Sequence, residues 1–235
     1  MQYISCRRRR RAAERQQLTT ARPRAFGKHD HFEALAQSLH GFVDDPTPYE
    51  TWVERIRQTA VRSNKIRFMA VVENNLADIL EKRGEIEPAI LALQRAAAHM
   101  DRAGLNSYAP RLNIAKILLI GGRHSDTVPD LRRLVRLASD QHHARWLAAS
   151  RVLLTEALLG SGLTQEAVDC FALADQGLQE TGLVVPDVAL SLQRALQLGP
   201  PDALARAIAS RCRQSYLTLK WDHRLNEIAP CPTRP

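Results

Sequence analysis

Residues able to do chemistry are few in this chain, and they are scattered. His29 and His31 stand one residue apart and His142 adjoins His143, but neither pair has a third ligand at the spacing a zinc site requires. No metal is expected. Cys6, Cys170, Cys212 and Cys231 form no C-x-x-C pair, so they read as idle thiols of a reducing compartment. Gly121-Gly122 and Gly160-x-Gly162 belong to no phosphate-binding or dinucleotide-binding pattern, and no nucleophile stands paired with a base. The chain is therefore expected to be non-enzymatic and to hold no cofactor.

The one dense cluster is basic. Residues 1–28 hold nine of the 33 Lys and Arg, including Arg7, Arg8, Arg9, Arg10 and Arg11, against the single acid Glu14. The other 207 residues then carry 24 basic and 24 acidic residues, so the whole excess of +8 sits in this arm and the body is neutral. Guanidinium groups in such a run can bind phosphate backbones or anionic lipid by releasing counterions. Only Tyr3 and Phe26 interleave with them, which gives bases little to stack on. The arm, 1–28, reads as a solvated, disordered tail, with nucleic acid as a partner through this arm alone. The Pro-rich end, 229–235, reads as disordered too.

The elements that must position everything else are helices. Aromatic residues make up 5% of the chain and the apolar set is mostly Leu and Ala, which favours helix over strand. No stretch approaches the roughly 18 consecutive apolar residues of a membrane span. Leu76, Ala77 and Leu80 form an apolar stripe on one helix, Gly84 stands where that helix must stop, and Ala89, Leu93 and Ala96 mark the inner face of a second. The template recurs as Ile114, Ala115, Leu118, Gly122, Thr127, Leu131 and Leu134. It recurs again as Leu154, Thr155, Leu158, Gly162, Ala167, Phe171 and Ala174.

Weaker copies flank these three. Leu35, Ala36 and Leu39 precede them with Trp52, Ile56 and Thr59; Leu192, Gln193 and Leu196 follow, with Pro200 in the glycine slot and Ala205, Ala209 and Cys212 beyond. The leading apolar residues stand at 35, 76, 114, 154 and 192, at intervals of 41, 38, 40 and 38. A near-constant step is what stacked helix hairpins require. Pro48, Pro88, Pro129 and Pro201 fall near the starts of second helices, and Thr164 is expected to cap the one that lacks a proline. The expected architecture is all-α, an α-solenoid of about five antiparallel helix hairpins over 29–228. Clear repeats span about 66–103, 108–142 and 144–181, and degenerate ones 30–64 and 184–219.

The pattern resembles the tetratricopeptide repeat: large then small on the first helix, glycine before the turn, and small–aromatic–small on the second. Three features depart from it. The step is 38–41 residues rather than the family's 34, the first-helix Trp and Tyr are absent, and Phe171 alone supplies the second-helix aromatic. The longer step is similar to that of tetratricopeptide-like arrays in large bacterial transcriptional activators and signalling proteins.

The resemblance implies a right-handed superhelix whose concave wall, lined by first helices, binds a peptide or protein surface. By the family's offsets the wall holds Asn74, Asp78 and Glu81 in the first clear copy, Leu112 and Lys116 in the second, and Val152 and Glu156 in the third. Asn113 matches a carboxylate-clamp position, but the accompanying basic residues are missing, so capture of a free C-terminus is not expected. The function so implied is that of a cytoplasmic interaction module or scaffold within a bacterial regulatory system. The alternative is a nucleic-acid-associated regulator acting through the arginine arm.

Overall fold

A run of Leu- and Ala-rich segments, each interrupted by glycine, has few ways to fold: each segment becomes a helix, and each interruption a turn. The computed structural model describes Glu54, Gln58 and residues 66–228. The arginine arm, the rest of the first degenerate repeat and the tail 229–235 lie outside the described residues. Within 66–228, eight α-helices follow one another: α1 (Ile66–Lys82), α2 (Ile86–Arg102), α3 (Tyr108–Ile120), α4 (His124–Asp140), α5 (Ala144–Gly160), α6 (Thr164–Thr181), α7 (Pro186–Gln197) and α8 (Asp202–Thr218). A 3-10 segment, Asp222–Glu227, ends the series, and the described residues contain no strand.

Each α-helix closes on a residue with positive φ. Six of these are glycines, Gly84, Gly104, Gly122, Gly162, Gly182 and Gly199; the others are His142 (56°) and Lys220 (58°). At six of the eight the following amide reaches back to the last turn, as Arg123 N–H does to the Leu118 carbonyl (2.9 Å) and Leu163 N–H to Leu158 (2.9 Å). At Gly122 a side chain would meet no atom within 4 Å, so glycine is there for its backbone (φ 74°) and not for space. The fourth hairpin departs from the expected slot: Gly199 takes the left-handed turn, and Pro200 follows it.

Helix starts need a correction too. Thr164 is the first residue of α6, Leu163 precedes it as the cap, and no side-chain capping bond forms. Pro88 lies in the first turn of α2, but Pro129 is the sixth residue of α4, so its missing N–H removes one intrahelical bond.

Alternate positions do the packing. Ala89, Leu93 and Ala96 of α2, Leu131 and Leu134 of α4, and Ala167, Phe171 and Ala174 of α6 are all buried. So are the small residues facing them, Ala77, Ala115 and Thr155. Small side chains at these positions let paired helices approach closely. The buried hydroxyls are satisfied within their own helices: Thr155 donates to the Arg151 carbonyl (2.9 Å) and Thr127 to that of His124 (2.7 Å). In α7 and α8 the buried face is Val188, Ala189, Leu192 and Ala195 against Leu204, Ile208 and Cys212. Gln193, in the small-residue slot, is only half-buried, unlike Ala77, Ala115 and Thr155.

Consecutive helices pack on one another from α1 through α6, and α7 packs on α8. In addition α3 packs on α5, α5 on α7, and α6 on α8. The apolar interior falls into two clusters: a small one of α1, α2 and the Ile114–Ile117–Leu118 face of α3, and a large one that begins at Tyr108, Ala115 and Leu119 and runs to Ile228. No described helix is long and apolar enough to cross a membrane.

Candidate interaction cleft

Because α3 and α7 both lean on α5, their facing surfaces leave a trough above the N-terminal half of α5. Its walls are Ala109, Leu112, Asn113 and Lys116 from α3, and Leu183, Val185, Asp187 and Val188 from the α6–α7 loop and the start of α7. Its floor is Arg145, Trp146, Ala149 and Leu153 of α5. The cleft encloses about 410 Å³ and is apolar except at its mouth.

Trp146 is held from behind. Its ring stacks on Tyr108 (centroids 6.0 Å apart, planes 25°), and His143 meets the same tyrosine edge-on at 5.5 Å. Tyr108 is 2% exposed, and its hydroxyl donates to Gln141 Oε1 at 3.3 Å. Burial, together with the nearby Asp140 charge, pushes that phenol above its ordinary pKa, so it stays a neutral donor. The aromatic wall is therefore fixed before any ligand arrives.

The expected wall residues divide into three groups. Leu112 and Lys116 line the cleft. Asn74, Asp78 and Glu81 lie on α1, outside it: Asn74 accepts from Asn113 Nδ2 (3.2 Å), Asp78 pairs with Lys82 of its own helix (2.7 Å), and Glu81 reaches Lys116 (3.2 Å). Val152 and Glu156 are fully buried, which corrects their assignment to an open wall. Glu156 accepts from Arg194 Nε (2.6 Å) and Nη2 (2.9 Å) and from Ser191 Oγ (2.5 Å), all on α7. It fastens one helix to another and is closed to a partner. Glu73 of α1, at a different repeat position, is a second buried acid, paired with Arg95 of α2.

Residues missed by the repeat offsets now define the site: Arg145, Trp146, Asp187 and Val188. One signal was present. Tyr108 and Trp146 stand 38 residues apart, which is the repeat step itself, so aromatic partners were to be sought at that interval.

At the mouth, Lys116 is the single cation of a three-residue network. Its ammonium lies 3.2 Å from Glu81 and 3.7 Å from Asp187, tying α1, α3 and α7 together. Arg145 is exposed, and no ion pair joins it to another of the described residues. A smaller hollow of about 290 Å³ lies between α3 and α4, beside the end of α2. There Ser107 Oγ and Arg111 Nη2 donate to Asp101 at 2.7 Å each. Partial burial opposes ionisation of Asp101, but these donors prevail and hold its carboxyl below the ordinary value.

Other reactive groups are quiet. Cys212 is buried and donates to the Ala189 carbonyl (3.7 Å), and burial raises its thiol to about 11. Burial also raises Cys170. Among the described residues no three His, Cys, Asp or Glu gather as metal ligands. Comparisons with family models, with curated proteins and with solved structures find no match to this chain.

Proposed function

We propose that this chain is a non-enzymatic protein-interaction module: a tetratricopeptide-like right-handed solenoid of about five hairpins that presents a concave cleft to a peptide or protein surface. The observation that carries this reading is the apolar cleft over α5, walled by alternate helices and floored by an immobilised tryptophan. Tryptophan in a preformed apolar hollow is the typical anchor of a protein interface, since it contributes large contact area at small entropic cost. The packing of α3 on α5, α5 on α7 and α6 on α8, beyond neighbouring contacts, supports the solenoid. In this role the protein would serve as the scaffold or sensor part of a bacterial regulatory system.

The test is a quantitative pull-down comparing wild type, Ala109→Glu in the cleft wall and Arg213→Ala on an exposed face of α8. Ala109→Glu should lose partners that the other two retain, with its melting temperature unchanged. Identical partner sets for all three proteins would overturn the reading.

The charge partition favours a second reading, in which the arginine arm supplies affinity for nucleic acid and the helical body recruits partners. Deleting residues 1–28 should then abolish binding to DNA or RNA, together with its steep salt dependence. A neutral body that still bound with the same salt slope would exclude it.

A further inference from the structure

We propose that Lys116 and Asp187 form a salt-sensitive clasp across the mouth of the cleft over α5, giving the cleft a closed and an open state; this rests on the interaction reading above and names how access to that site is controlled. Helices α3 and α7 each pack on α5 and little on one another. Among the described residues a single polar contact joins the two walls, Lys116 Nζ to Asp187 Oδ1 at 3.7 Å. The two side chains border the cleft from opposite sides, so their bridge narrows the way to the apolar floor of Trp146 and Leu153.

The bridge is built to release. Glu81 holds the same ammonium at 3.2 Å and is the more sheltered carboxylate, its side chain 22% exposed against 56% for Asp187. Salt screens the long, solvent-facing pair more than the short, sheltered one. Parting strands neither charge. Lys116 keeps Glu81, and Asp187 lies in the first turn of α7, where free backbone N–H groups favour a carboxylate. The two states therefore lie close in free energy, as a switch between populated conformations requires. Lys116 and Arg145 balance Glu81 and Asp187, so the clasp governs when the cleft is open and not the charge of what enters.

The test reads the cleft directly with acrylamide, a neutral quencher whose approach salt does not screen. In the chain carrying Trp52→Phe and Trp221→Phe, Trp146 is the sole tryptophan, and it is half-buried. Its Stern–Volmer constant should rise about twofold as sodium chloride goes from roughly 20 to 500 mM. Asp187→Asn should give the high value already at low salt and remove the salt dependence. Glu81→Gln should instead leave low-salt quenching at or below the starting value, because Lys116 then turns wholly to Asp187. A general loosening of the fold would move both variants the same way. Should the double Trp→Phe chain fail to fold, 5-fluorotryptophan in the otherwise unaltered protein supplies the readout, through the solvent-isotope shift of the Trp146 fluorine resonance, assigned by Trp146→Phe. Quenching that ignores salt, or an Asp187→Asn variant indistinguishable from Glu81→Gln, overturns the clasp and leaves the interaction reading standing. That reading is judged independently by the Ala109→Glu pull-down.

Discussion

The guanidinium of Arg194 grips Glu156 with two N–H···O bonds, of 2.6 and 2.9 Å, across the boundary between consecutive hairpins. Glu156 has no exposed surface, and Ser191 adds a third donor at 2.5 Å. A buried carboxylate is tolerable only while its partners stay. Arg194→Ala should therefore cost about 3–5 kcal/mol, read as a lower denaturation midpoint. Replacing both partners together, Glu156→Leu with Arg194→Met, should recover most of that loss, because no orphaned charge remains.

The left-handed residues make a paired prediction. Gly122→Ala introduces no clash, so its cost is backbone strain alone, about 1–2 kcal/mol. His142 already bears that strain at φ 56°, and it is exposed. His142→Gly should raise stability by up to about 1 kcal/mol, seen as a higher melting temperature.

Gly160 serves another purpose. A Cβ there would overlap the His124 ring, which lies directly on the helix backbone. Gly160→Ala should destabilise by about 1–3 kcal/mol in the wild-type background. In a His124→Ala background the same change should become neutral or slightly stabilising, since alanine is the better helix former. Equal costs in both backgrounds would show that the ring contact is not the cause.

His99 gives a pH dependence. Burial, with Arg102 beside it, lowers its pKa below the ordinary 6.5, so the fold favours neutral imidazole. The unfolded chain then binds more protons near and below pH 6.5. The contribution is fully present above that pH and is lost as pH falls toward the folded value. Denaturation midpoints should drop between pH 7 and 5, and His99→Gln should flatten the drop.

Cys212 should resist alkylation by iodoacetamide at pH 8 in the native protein and react once denatured. Burial is the cause, both by blocking access and by holding the thiol near 11. Rapid native labelling at Cys212, located by mass spectrometry, would contradict the packing of α8 against α7.

How far the sequence was readable follows from what each residue type can signal. Gly84, Gly122 and Gly162 were visible as bends, because glycine at a regular interval after an apolar stripe has one inexpensive use. His142 and Lys220 take the same conformation and were invisible there, since neither residue type advertises it. Glu156 and Val152 were assigned to an open wall because offsets within one hairpin say nothing of the next hairpin that covers it. The cross-hairpin ties carried a usable signal all along. Tyr108 with Trp146, Glu156 with Arg194 and Asn74 with Asn113 are separated by 38, 38 and 39 residues, close to the spacing of the bends. Charge and aromatic pairs at that interval report which helices lie side by side.

The division of the apolar interior has a thermodynamic outcome. Helix α3 offers one face to the small cluster and another to the large one, so it is the hinge plate on which the α1–α2 pair hangs. The large buried side chains at that joint are Ile90, Leu93 and Ile117, with Leu76, Leu80, Ile114 and Leu118 only partly buried against them. Such a seam lets a protein come apart in stages. Amide hydrogens of α1 and α2 should exchange with deuterium through a cheaper partial opening, while those of α5 and α6 wait for global unfolding.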